Sequence, residues 1–343
     1  MNFFSNNKHQ YKEPSTEELV ERGFAPLNGK IDVLLIHPPS TIAERYGKDD
    51  MGDFGGDLIP LGIASLAAYL REKGHGVGVL DCPALRINSD KVYEIILKKD
   101  PAIIGFSTTT YSLARAVEIG KKIRSQLPNK LTVVGGSHAN VAGIETANQY
   151  DIFDIISYGL DGEHIMHEIT EKYSAKKFNR DSFLQDFSTL EKIKGIIYKK
   201  NDVVIKNSPT EIINDLDELP MPARDLFPIE RYVPVPHHYK KLPLTNMVVI
   251  RGCPYFCTFC DQAGTKTRRR SPQKVVDEIK HCVEKYGVKE ISFWDDTLSY
   301  HKKWMREFLD LLMKANLDIC WSCFAAVNTV DEETLKIMSK AGC

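Results

Sequence analysis

The chain has 343 residues, 43% of them hydrophobic and 27% charged, and its formal net charge at pH 7 is −1. This composition is typical of a globular protein with room for two cores, and the balanced charge argues against non-specific attraction to nucleic acid or an acidic membrane. The amino terminus lacks the apolar core of a signal peptide, and no apolar run approaches the roughly 20 residues of a membrane span. We therefore expect a cytoplasmic protein without a membrane span.

The first half of the chain alternates apolar strands with helical patterns. Residues 1–29 are polar and predict an irregular leader with a short helix near Thr16–Arg22. The predicted strands that follow are Ile31–His37, Val77–Asp81, Ala102–Phe106, Leu131–Val134 and Phe153–Ser157. The predicted helices between them are Leu61–Lys73, Ser89–Lys98 and Leu113–Gln126. Continuous apolar strands separated by helices form parallel sheets covered on both faces, so residues 30–175 predict an α/β, doubly wound parallel sheet.

Hydroxyl groups and glycines follow the third, fourth and fifth predicted strands, where ligands of such sheets bind. The candidate ligand residues are Ser107, Thr108, Thr109, Gly135, Gly136, Ser137, Gly159, Gly162 and Glu163. Glycines let a large flat ligand approach the backbone, and hydroxyls supply hydrogen bonds around its edge. A structural turn explains a Gly-Gly pair about as well. For His138 we favour a hydrogen-bonding loop residue over a metal ligand.

Residues 176–243 predict a small β element followed by a connector. Gly195–Tyr198 and Val203–Ile205 flank Asn201-Asp202, a hairpin turn signal, and we expect this hairpin to bridge two domains. The proline-rich segment 207–243 then predicts a linker without a fold of its own. A long loop at Ser40–Asp57 is interpreted either as a cover for a ligand or as a mobile loop.

The second half, residues 244–343, predicts three further strand–helix units. The predicted strands are Met247–Ile250, Glu290–Phe293 and Asp318–Ala325. The predicted helices are Pro272–Tyr286, Lys302–Lys314 and Glu332–Ser339. Because the carboxyl ends of such strands form the site, Asp295 and Asp296, which follow the second strand, are candidate ligand residues. A pair of carboxylates that caps the next helix is the alternative.

Three cysteines directly after Met247–Ile250 form a C-x3-C-x2-C motif: Cys253, Cys257 and Cys260. Three thiolates can hold three irons of a [4Fe–4S] cluster and leave the fourth iron free for a small molecule, whereas ordinary ferredoxin sites use four cysteines. A zinc site usually needs a fourth ligand, and a disulfide cluster suits a secreted chain, so we favour the cluster. The basic run Lys266–Arg270 is interpreted as a solvated loop rather than an anion site.

These motifs resemble those of a known enzyme family. The cysteine spacing, with the aromatic residue Phe259 before the third cysteine, resembles the radical SAM superfamily. Pro60–Leu66, Leu80-Asp81, the glycine-rich strand ends and Asp215–Arg224 resemble the cobalamin-binding domain and interdomain linker of its B12-dependent members. The resemblance runs from about residue 30 to the end of the chain. It implies a flavodoxin-like cobalamin-binding domain followed by an incomplete radical SAM (β/α) barrel, and we expect a C-terminally truncated chain with impaired activity.

The resemblance also implies cofactors and roles. Cys253, Cys257 and Cys260 would hold a [4Fe–4S] cluster that binds S-adenosylmethionine (SAM) at its open iron, next to Phe259. Asp295 and Asp296 would meet the methionyl ammonium of SAM, and the glycine-rich strand ends would hold cobalamin. The absence of a D-x-H-x-x-G motif implies cobalamin without a histidine ligand, or a domain that has lost it.

The implied function is cleavage of SAM to a 5′-deoxyadenosyl radical, followed by methylation of an unactivated carbon in a small molecule. A flavodoxin- or ferredoxin-like protein would be the reductant. An oxidative or ring-forming cyclase of the Mg-protoporphyrin ester type, and a catalytically incomplete cobalamin or Fe–S binding module, remain alternatives. A methylthiotransferase is disfavoured because residues 1–252 contain only Cys82 for the second cluster that it would need.

Overall fold

The computed structural model describes residues 13–41, 44, 56–235 and 238–343. The helices of the first half are α1 (Thr16–Arg22), α2 (Leu61–Glu72), α3 (Cys82–Leu85), α4 (Ser89–Lys99), α5 (Leu113–Gln126), α6 (Ser137–Gln149), α7 (Gly162–Ala175), α8 (Arg180–Leu184) and α9 (Phe187–Leu190). Its strands are β1 (Phe24–Ala25), β2 (Val33–His37), β3 (Val77–Asp81), β4 (Ile103–Ser107), β5 (Leu131–Gly135), β6 (Ile155–Ser157), β7 (Ile196–Lys200) and β8 (Val203–Lys206). Most of the predicted loop Ser40–Asp57 lies outside the described residues.

These strands form one eight-stranded sheet in the order β1-β3-β2-β4-β5-β6-β7-β8. The five strands from β3 to β6 in that order are parallel. Counted along the chain, their order is 2-1-3-4-5, which is flavodoxin-like and confirms the predicted fold class of this half. The strand order reverses between β2 and β4, and this switch point opens at the carboxyl edge of the sheet.

The sheet has a core on each face because alternate strand residues point to opposite sides. In β2, Val33 and Leu35 pack under α2 and α7, whereas Leu34 and Ile36 pack under α4 and α5. All four side chains are at most 4% exposed. A strand buried on both faces reads as a continuous apolar run, which is why the sequence predicts these strands well.

Both edges of the sheet differ from the prediction. The β7–β8 hairpin does not bridge two domains; it pairs antiparallel with β6, for example Ile156 with Ile197. At the other edge β1 pairs antiparallel with β3, so the leader is not irregular throughout, and helix α1 lies where it was predicted. Antiparallel strands at both ends cover the edges of the parallel strands, which would otherwise offer unpaired backbone groups.

The second half contains a three-stranded parallel sheet and its helices. Its elements are β9 (Leu244–Met247), β10 (Ile250–Arg251), β11 (Arg268–Arg269), α10 (Pro272–Tyr286), β12 (Glu290–Phe293), α11 (Lys302–Ala315), β13 (Cys320–Cys323) and α12 (Glu332–Lys340). The strand order is β13-β12-β9, with Glu290 opposite both Leu244 and Cys320. Parallel strands joined by helices agree with the start of the predicted barrel. No helix among the described residues is long and apolar enough to cross a lipid bilayer.

The strand predicted at Met247–Ile250 was placed wrongly. The parallel strand β9 ends at Met247, and Ile250–Arg251 instead pairs antiparallel with Arg268–Arg269. The backbone leaves the sheet because the Asp295 carboxylate accepts the N–H groups of Val249 and Ile250. An apolar run alone could not indicate that bend, because Val249 and Ile250 are buried in the same core as the strand.

The connector is held to the second sheet by a buried arginine. Arg224 is 2% exposed, and its Nη1 lies 2.7 Å from Oε1 of Glu278 on α10. Its Nη2 donates to the backbone carbonyl of Asn246 at 2.9 Å. Burial opposes the charged guanidinium, but Glu278 raises the pKa of Arg224 above its ordinary value. At Arg224 the connector therefore packs as part of the structure.

We predict that Glu278→Gln destabilises the second half strongly, because it leaves the Arg224 charge buried without a counter-charge. Loss of one partner of a buried pair costs about 3–5 kcal/mol, against about 0–1 kcal/mol for an exposed pair. The matched control is Glu333→Gln, whose glutamate pairs with Arg306 at the same 2.7 Å but is 71% exposed. All three tryptophans lie in residues 294–321, so fluorescence during urea unfolding reports on this half. An equal decrease in the free energy of unfolding for the two variants would contradict the prediction.

Candidate active site between the two domains

A cavity of about 490 Å³ lies between the carboxyl edge of the first sheet and the second half of the chain. The predicted ligand residues in its wall are Ser107, Gly135, Gly136, Ser137, Gly159, Gly162, Glu163, Asp295 and Asp296. Gly252, Asp261 and Gln262, which flank the cysteines, also line it. One cavity therefore touches both the switch point of the sheet and the loop that carries the cysteines.

Thr108 and Thr109 do not line this cavity, contrary to the expectation. Thr108 is 2% exposed, and its Oγ1 donates to the carbonyl of Gly135 at 3.1 Å. The backbone N–H of Thr109 donates to the hydroxyl of Ser112 at 3.0 Å. Both threonines therefore shape the turn after β4, because its buried backbone groups need partners.

Gly136 is required by the close approach of two loops. Its φ is +94°, and a Cβ at this position would lie 2.5 Å from the carbonyl oxygen of Thr108. The N–H of His138 donates to that same oxygen at 3.1 Å. A glycine that this turn needs for steric reasons also leaves bare backbone in the cavity wall.

His138 is a hydrogen-bonding residue, as predicted. Its Nδ1 lies 3.2 Å from Oγ1 of Thr110, and its Nε2 lies 3.0 Å from Oγ1 of Thr146. Both ring nitrogens thus have hydroxyl partners within the first domain. A metal ligand would need one of them free.

The cysteine loop is closed at its base by the β10–β11 pair. Cys253 and Cys260 are half-buried and Cys257 is exposed. The N–H of Cys253 donates to Oγ1 of Thr265 at 2.9 Å, and the N–H of Cys260 donates to the carbonyl of Cys257 at 3.1 Å. Gly252 has a φ of +89°, and a Cβ there would lie 2.3 Å from the carbonyl oxygen of Lys266. The loop conformation is therefore set by its own turns.

The arrangement of the thiols suits a cluster better than one zinc ion. Among the described residues, which include all three cysteines, only one group of three potential ligands has its donor atoms within 4.8 Å of one another, and it contains no cysteine. Thiolates around a tetrahedral zinc at 2.3 Å would lie roughly 3.8 Å apart. The three thiols are therefore not arranged as a preformed tetrahedral zinc site.

Phe259 lies on the surface, and its expected position next to SAM stays a prediction. Its side chain is 91% exposed, and it is absent from the cavity wall. Phe256, three residues earlier, is 82% exposed. Both rings belong to a loop whose two ends are fixed by the β10–β11 pair.

A network of buried charges joins the two domains at the cavity. Arg251, two residues before Cys253, donates from Nη1 to Oδ1 of Asp161 at 2.7 Å and from Nη2 to Oε1 of Glu163 at 2.6 Å. Arg268 donates to the other oxygen of Asp161. The carboxylates are 0% and 4% exposed. The start of α7 is therefore tied to both strands at the base of the cysteine loop.

Two predictions are corrected by this network. Glu163 was expected to hold a cofactor, but Oε1 already accepts hydrogen bonds from Arg251 and from the hydroxyl of Ser65. Burial alone would raise the pKa of Glu163, yet Arg251 and Ser65 lower it below its ordinary value. The basic run was expected to be solvated, but Arg268 is 4% and Arg270 7% exposed. The role of Asp161 in this network was not predicted, because the glycines on either side of it, Gly159 and Gly162, were considered as ligand residues instead.

Asp295 braces the backbone and does not cap a helix. It is 1% exposed, and its Oδ1 accepts the N–H of Val249 at 2.7 Å and that of Ile250. Its Oδ2 is buried and has no hydrogen-bond partner among the described residues. Burial raises the pKa of Asp295 to about 7, although the two backbone donors act in the opposite direction.

Asp296 has a different environment from its neighbour. Its side chain is exposed, and it lines the cavity. Partial burial raises the pKa of Asp296, and the nearby carboxylate of Asp261 raises it further. Asp261, which directly follows Cys260, also lines the cavity and was not predicted. Two neighbouring carboxylates at a cavity wall favour a bound cation.

We predict that Asp295→Asn changes the pH dependence of stability. An aspartate with an ordinary pKa of 3.8 when unfolded and about 7 when folded makes the protein less stable as pH rises from 3.8 to 7. The variant keeps the Oδ1 acceptor but cannot ionise, so between about pH 5 and 8 wild type should lose roughly 2–3 kcal/mol relative to it. Urea unfolding followed by tryptophan fluorescence measures this difference.

The control for that measurement is Asp310→Asn on the exposed face of α11. Its stability should follow the wild-type pH profile in parallel. A constant difference between wild type and Asp295→Asn across the range would mean that Asp295 is ionised throughout it.

Two family models match the chain. The model described as B12 binding domain matches residues 47–168, and the model described as Radical SAM superfamily matches residues 247–343. The first range includes β3, β4, β5, β6 and the first half of α7. The second includes the cysteine loop and the βα units that begin with β12 and β13, together with the last residue of β9. The two matches therefore lie on either side of the cavity.

Curated relatives are similar over most of this chain. An uncharacterized methyltransferase of Pyrococcus horikoshii is 31% identical over 91% of this chain and 63% of its own length. The anaerobic magnesium-protoporphyrin IX monomethyl ester cyclase of Rubrivivax gelatinosus is 29% identical over 90% of this chain and 53% of its own. The cytidylyl-2-hydroxyethylphosphonate methyltransferase of Streptomyces wedmorensis is 25% identical over 90% of this chain and 63% of its own length. The chain spans between half and two thirds of the length of these relatives.

Solved structures share the fold. The cobalamin-dependent SAM radical enzyme OxsB with aqua-cobalamin bound superposes with a TM-score of 0.68 at 18% identity, over 91% of this chain and 42% of that one. The radical SAM methyltransferase TsrM from Kitasatospora setae, with cobalamin and a [4Fe–4S] cluster bound, gives a TM-score of 0.65 at 19% identity. The superposition covers 91% of this chain and 57% of TsrM. Matched by family models on both sides of the cavity, the chain combines a B12-binding domain with a radical SAM domain.

Proposed function

We propose that this chain carries the cofactor sites of a cobalamin-dependent radical SAM methyltransferase that acts on an unactivated carbon of a small molecule. The observation that carries the proposal is the single cavity lined by both the switch point of the sheet and the base of the cysteine loop. A methyl donor and a SAM-binding cluster must share one space in such an enzyme. The methyltransferases among the relatives support methyl transfer.

The cysteine loop fits a [4Fe–4S] cluster with one open iron. Cys253, Cys257 and Cys260 would hold it, since they are accessible, free thiols on one closed loop. When bound, the cluster supplies the electron that cleaves SAM, and cobalamin carries the methyl group. The protein contributes orientation and exclusion of water. Here Arg251 fixes the loop relative to the first domain through Asp161 and Glu163.

The edge of the first sheet fits a large flat cofactor. Ser107, Ser137 and the backbone of Gly135, Gly136 and Gly159 face the cavity and offer hydroxyl and amide groups. A side chain at Gly62 in the same wall would meet nothing within 4 Å, so this part of the wall is open. Since both ring nitrogens of His138 already have partners, we propose that cobalamin binds without a histidine ligand.

SAM would place its methionyl ammonium beside Asp296 and Asp261. Burial and then the carboxylate of Asp261 raise the pKa of Asp296, and a cation would relieve the repulsion between the two carboxylates. Asp295 serves indirectly, because it fixes the backbone at Val249 and Ile250 just before the cysteines. We further propose a flavodoxin- or ferredoxin-like reductant and a reducing, cytoplasmic environment, as the cluster requires.

Ring formation is the second candidate function. The cyclase of Rubrivivax gelatinosus is nearly as similar as the methyltransferase of Pyrococcus horikoshii. The two functions use the same cofactors and differ in what leaves the active site. Transfer of isotope-labelled methyl from SAM to product distinguishes methylation from cyclisation.

We predict that Cys257→Ala abolishes SAM cleavage, because one iron loses its thiolate. The measurement is 5′-deoxyadenosine formed by the anaerobically reconstituted full chain with dithionite, together with bound iron. The matched control is Cys320→Ala, a half-buried cysteine on β13 outside the loop. Unchanged cleavage in Cys257→Ala would overturn the proposed cluster. Iron without cleavage in wild type would support a binding module instead.

We predict that Asp296→Asn weakens SAM binding roughly 10- to 100-fold, the range expected when a charge-assisted hydrogen bond is lost. Calorimetric titration of SAM into the cluster-loaded protein measures it, with Asp310→Asn as a control on exposed α11. A normal affinity in Asp296→Asn would show that the ammonium binds elsewhere. The cysteine-dependent iron content should stay unchanged in both variants.

A further inference from the structure

Two histidines and a glutamate converge beside α2 and α7, and none of the three lines the cavity. His75 lies in the connection between α2 and β3, and His167 and Glu171 are four residues apart on α7. His75 precedes β3, so the group lies at the amino edge of the sheet, whereas the cavity lies at the carboxyl edge. The cofactor sites proposed above therefore do not use it.

The distances within this group match those of a metal site. Nε2 of His75 lies 2.9 Å from Nδ1 of His167 and 3.6 Å from Oε1 of Glu171. All three donor atoms lie within 4.8 Å of one another. Ligands at 2.0–2.1 Å from a tetrahedral zinc are separated by roughly 3.3 Å, and the two distances lie on either side of that value.

Packing restricts the two imidazole rings. His75 is 7% exposed, and its ring centroid lies 5.2 Å from that of His167. Tyr69 on α2 meets the His167 ring edge-on at 6.0 Å. Glu171 is 56% exposed and can swing toward the rings without disturbing the core. Two fixed donors and one adjustable donor form a nearly pre-organised site that solvent can reach.

The protonation states also favour a metal. Burial lowers the pKa of His167 below its ordinary value, and the neighbouring His75 and Lys73 lower it further, while Glu171 acts in the opposite direction. Neutral imidazole is the form that binds metal. Lys73 is the nearby cation, and its Nζ lies 5.1 Å from the Tyr69 ring centroid.

We propose that His75, His167 and Glu171 bind a zinc ion, with water completing four ligands. In its absence the two imidazoles can share one N–H···N hydrogen bond, and the metal would take the place of that proton. Imidazole and carboxylate donors suit zinc, and three protein ligands leave one position open. The ion would tie the α2–β3 connection to α7, the helix whose first turn carries Asp161 and Glu163.

The test uses the full chain with its iron–sulfur cluster already loaded, so that the cysteines are occupied. After addition of ZnCl2 and desalting, we expect about one zinc per chain and a zinc-edge X-ray absorption spectrum with nitrogen and oxygen at about 2.0–2.1 Å and no sulfur at about 2.3 Å. Glu171→Gln, which changes an exposed side chain, should fold normally and lose most of the zinc. His167→Ala should do the same.

The matched controls are two variants. Glu168→Gln changes a glutamate three residues before Glu171 on α7, and His281→Ala changes an exposed histidine on α10. Both should retain zinc as wild type does, and zinc should raise the thermal midpoint of wild type and controls but not that of the site variants. Sulfur in the zinc shell, equal zinc in Glu171→Gln and wild type, or no zinc retained by wild type would each overturn the proposal. Bound iron, measured in parallel, reports separately on the cluster.

Discussion

One buried carboxylate, Asp161, determines how the two domains meet. One of its oxygens accepts from Arg251 and the other from Arg268, and these arginines face each other in the β10–β11 pair. Asp161 is fully buried, and its second oxygen also accepts the N–H of Ile213 in the connector. Removal of one partner from such a network costs about 3–5 kcal/mol, because the remaining charges stay buried. The domains are therefore held in one arrangement by charge pairing as well as by packing.

The position of this network explains the geometry of the cavity. Arg251 and Arg268 stand at the two ends of the cysteine loop, so both ends are tied to the start of α7. That helix begins where β6 ends, at the carboxyl edge of the sheet. A shift of the first sheet would thus carry the cysteine loop with it. The separation between the proposed cobalamin and cluster sites consequently depends on a few hydrogen bonds between the domains.

The sequence predicts strands and motifs well and long-range partners poorly. Buried parallel strands have a local signature, and three closely spaced cysteines indicate their chemistry without a structure. The charge partner of Arg268 lies 107 positions away, so its basic run could only be judged by local composition. The hairpin β7–β8 has a local turn signal, but nothing local indicates that its partner is β6. The sequence-based predictions are therefore wrong mainly where the structure pairs segments that lie far apart in the chain.

The sequence also does not distinguish the environments of the adjacent residues Asp295 and Asp296. The motif is the same for both, yet successive side chains leaving a strand point in opposite directions, so Asp295 is buried and Asp296 is exposed, although both contribute to the cavity wall. A pKa of about 7 leaves Asp295 partly protonated at neutral pH. The negative charge beside the cysteines then rests mainly on Asp296 and Asp261, the two carboxylates that a cation in the cavity can reach. Burial of one aspartate thus concentrates the binding charge on its neighbour.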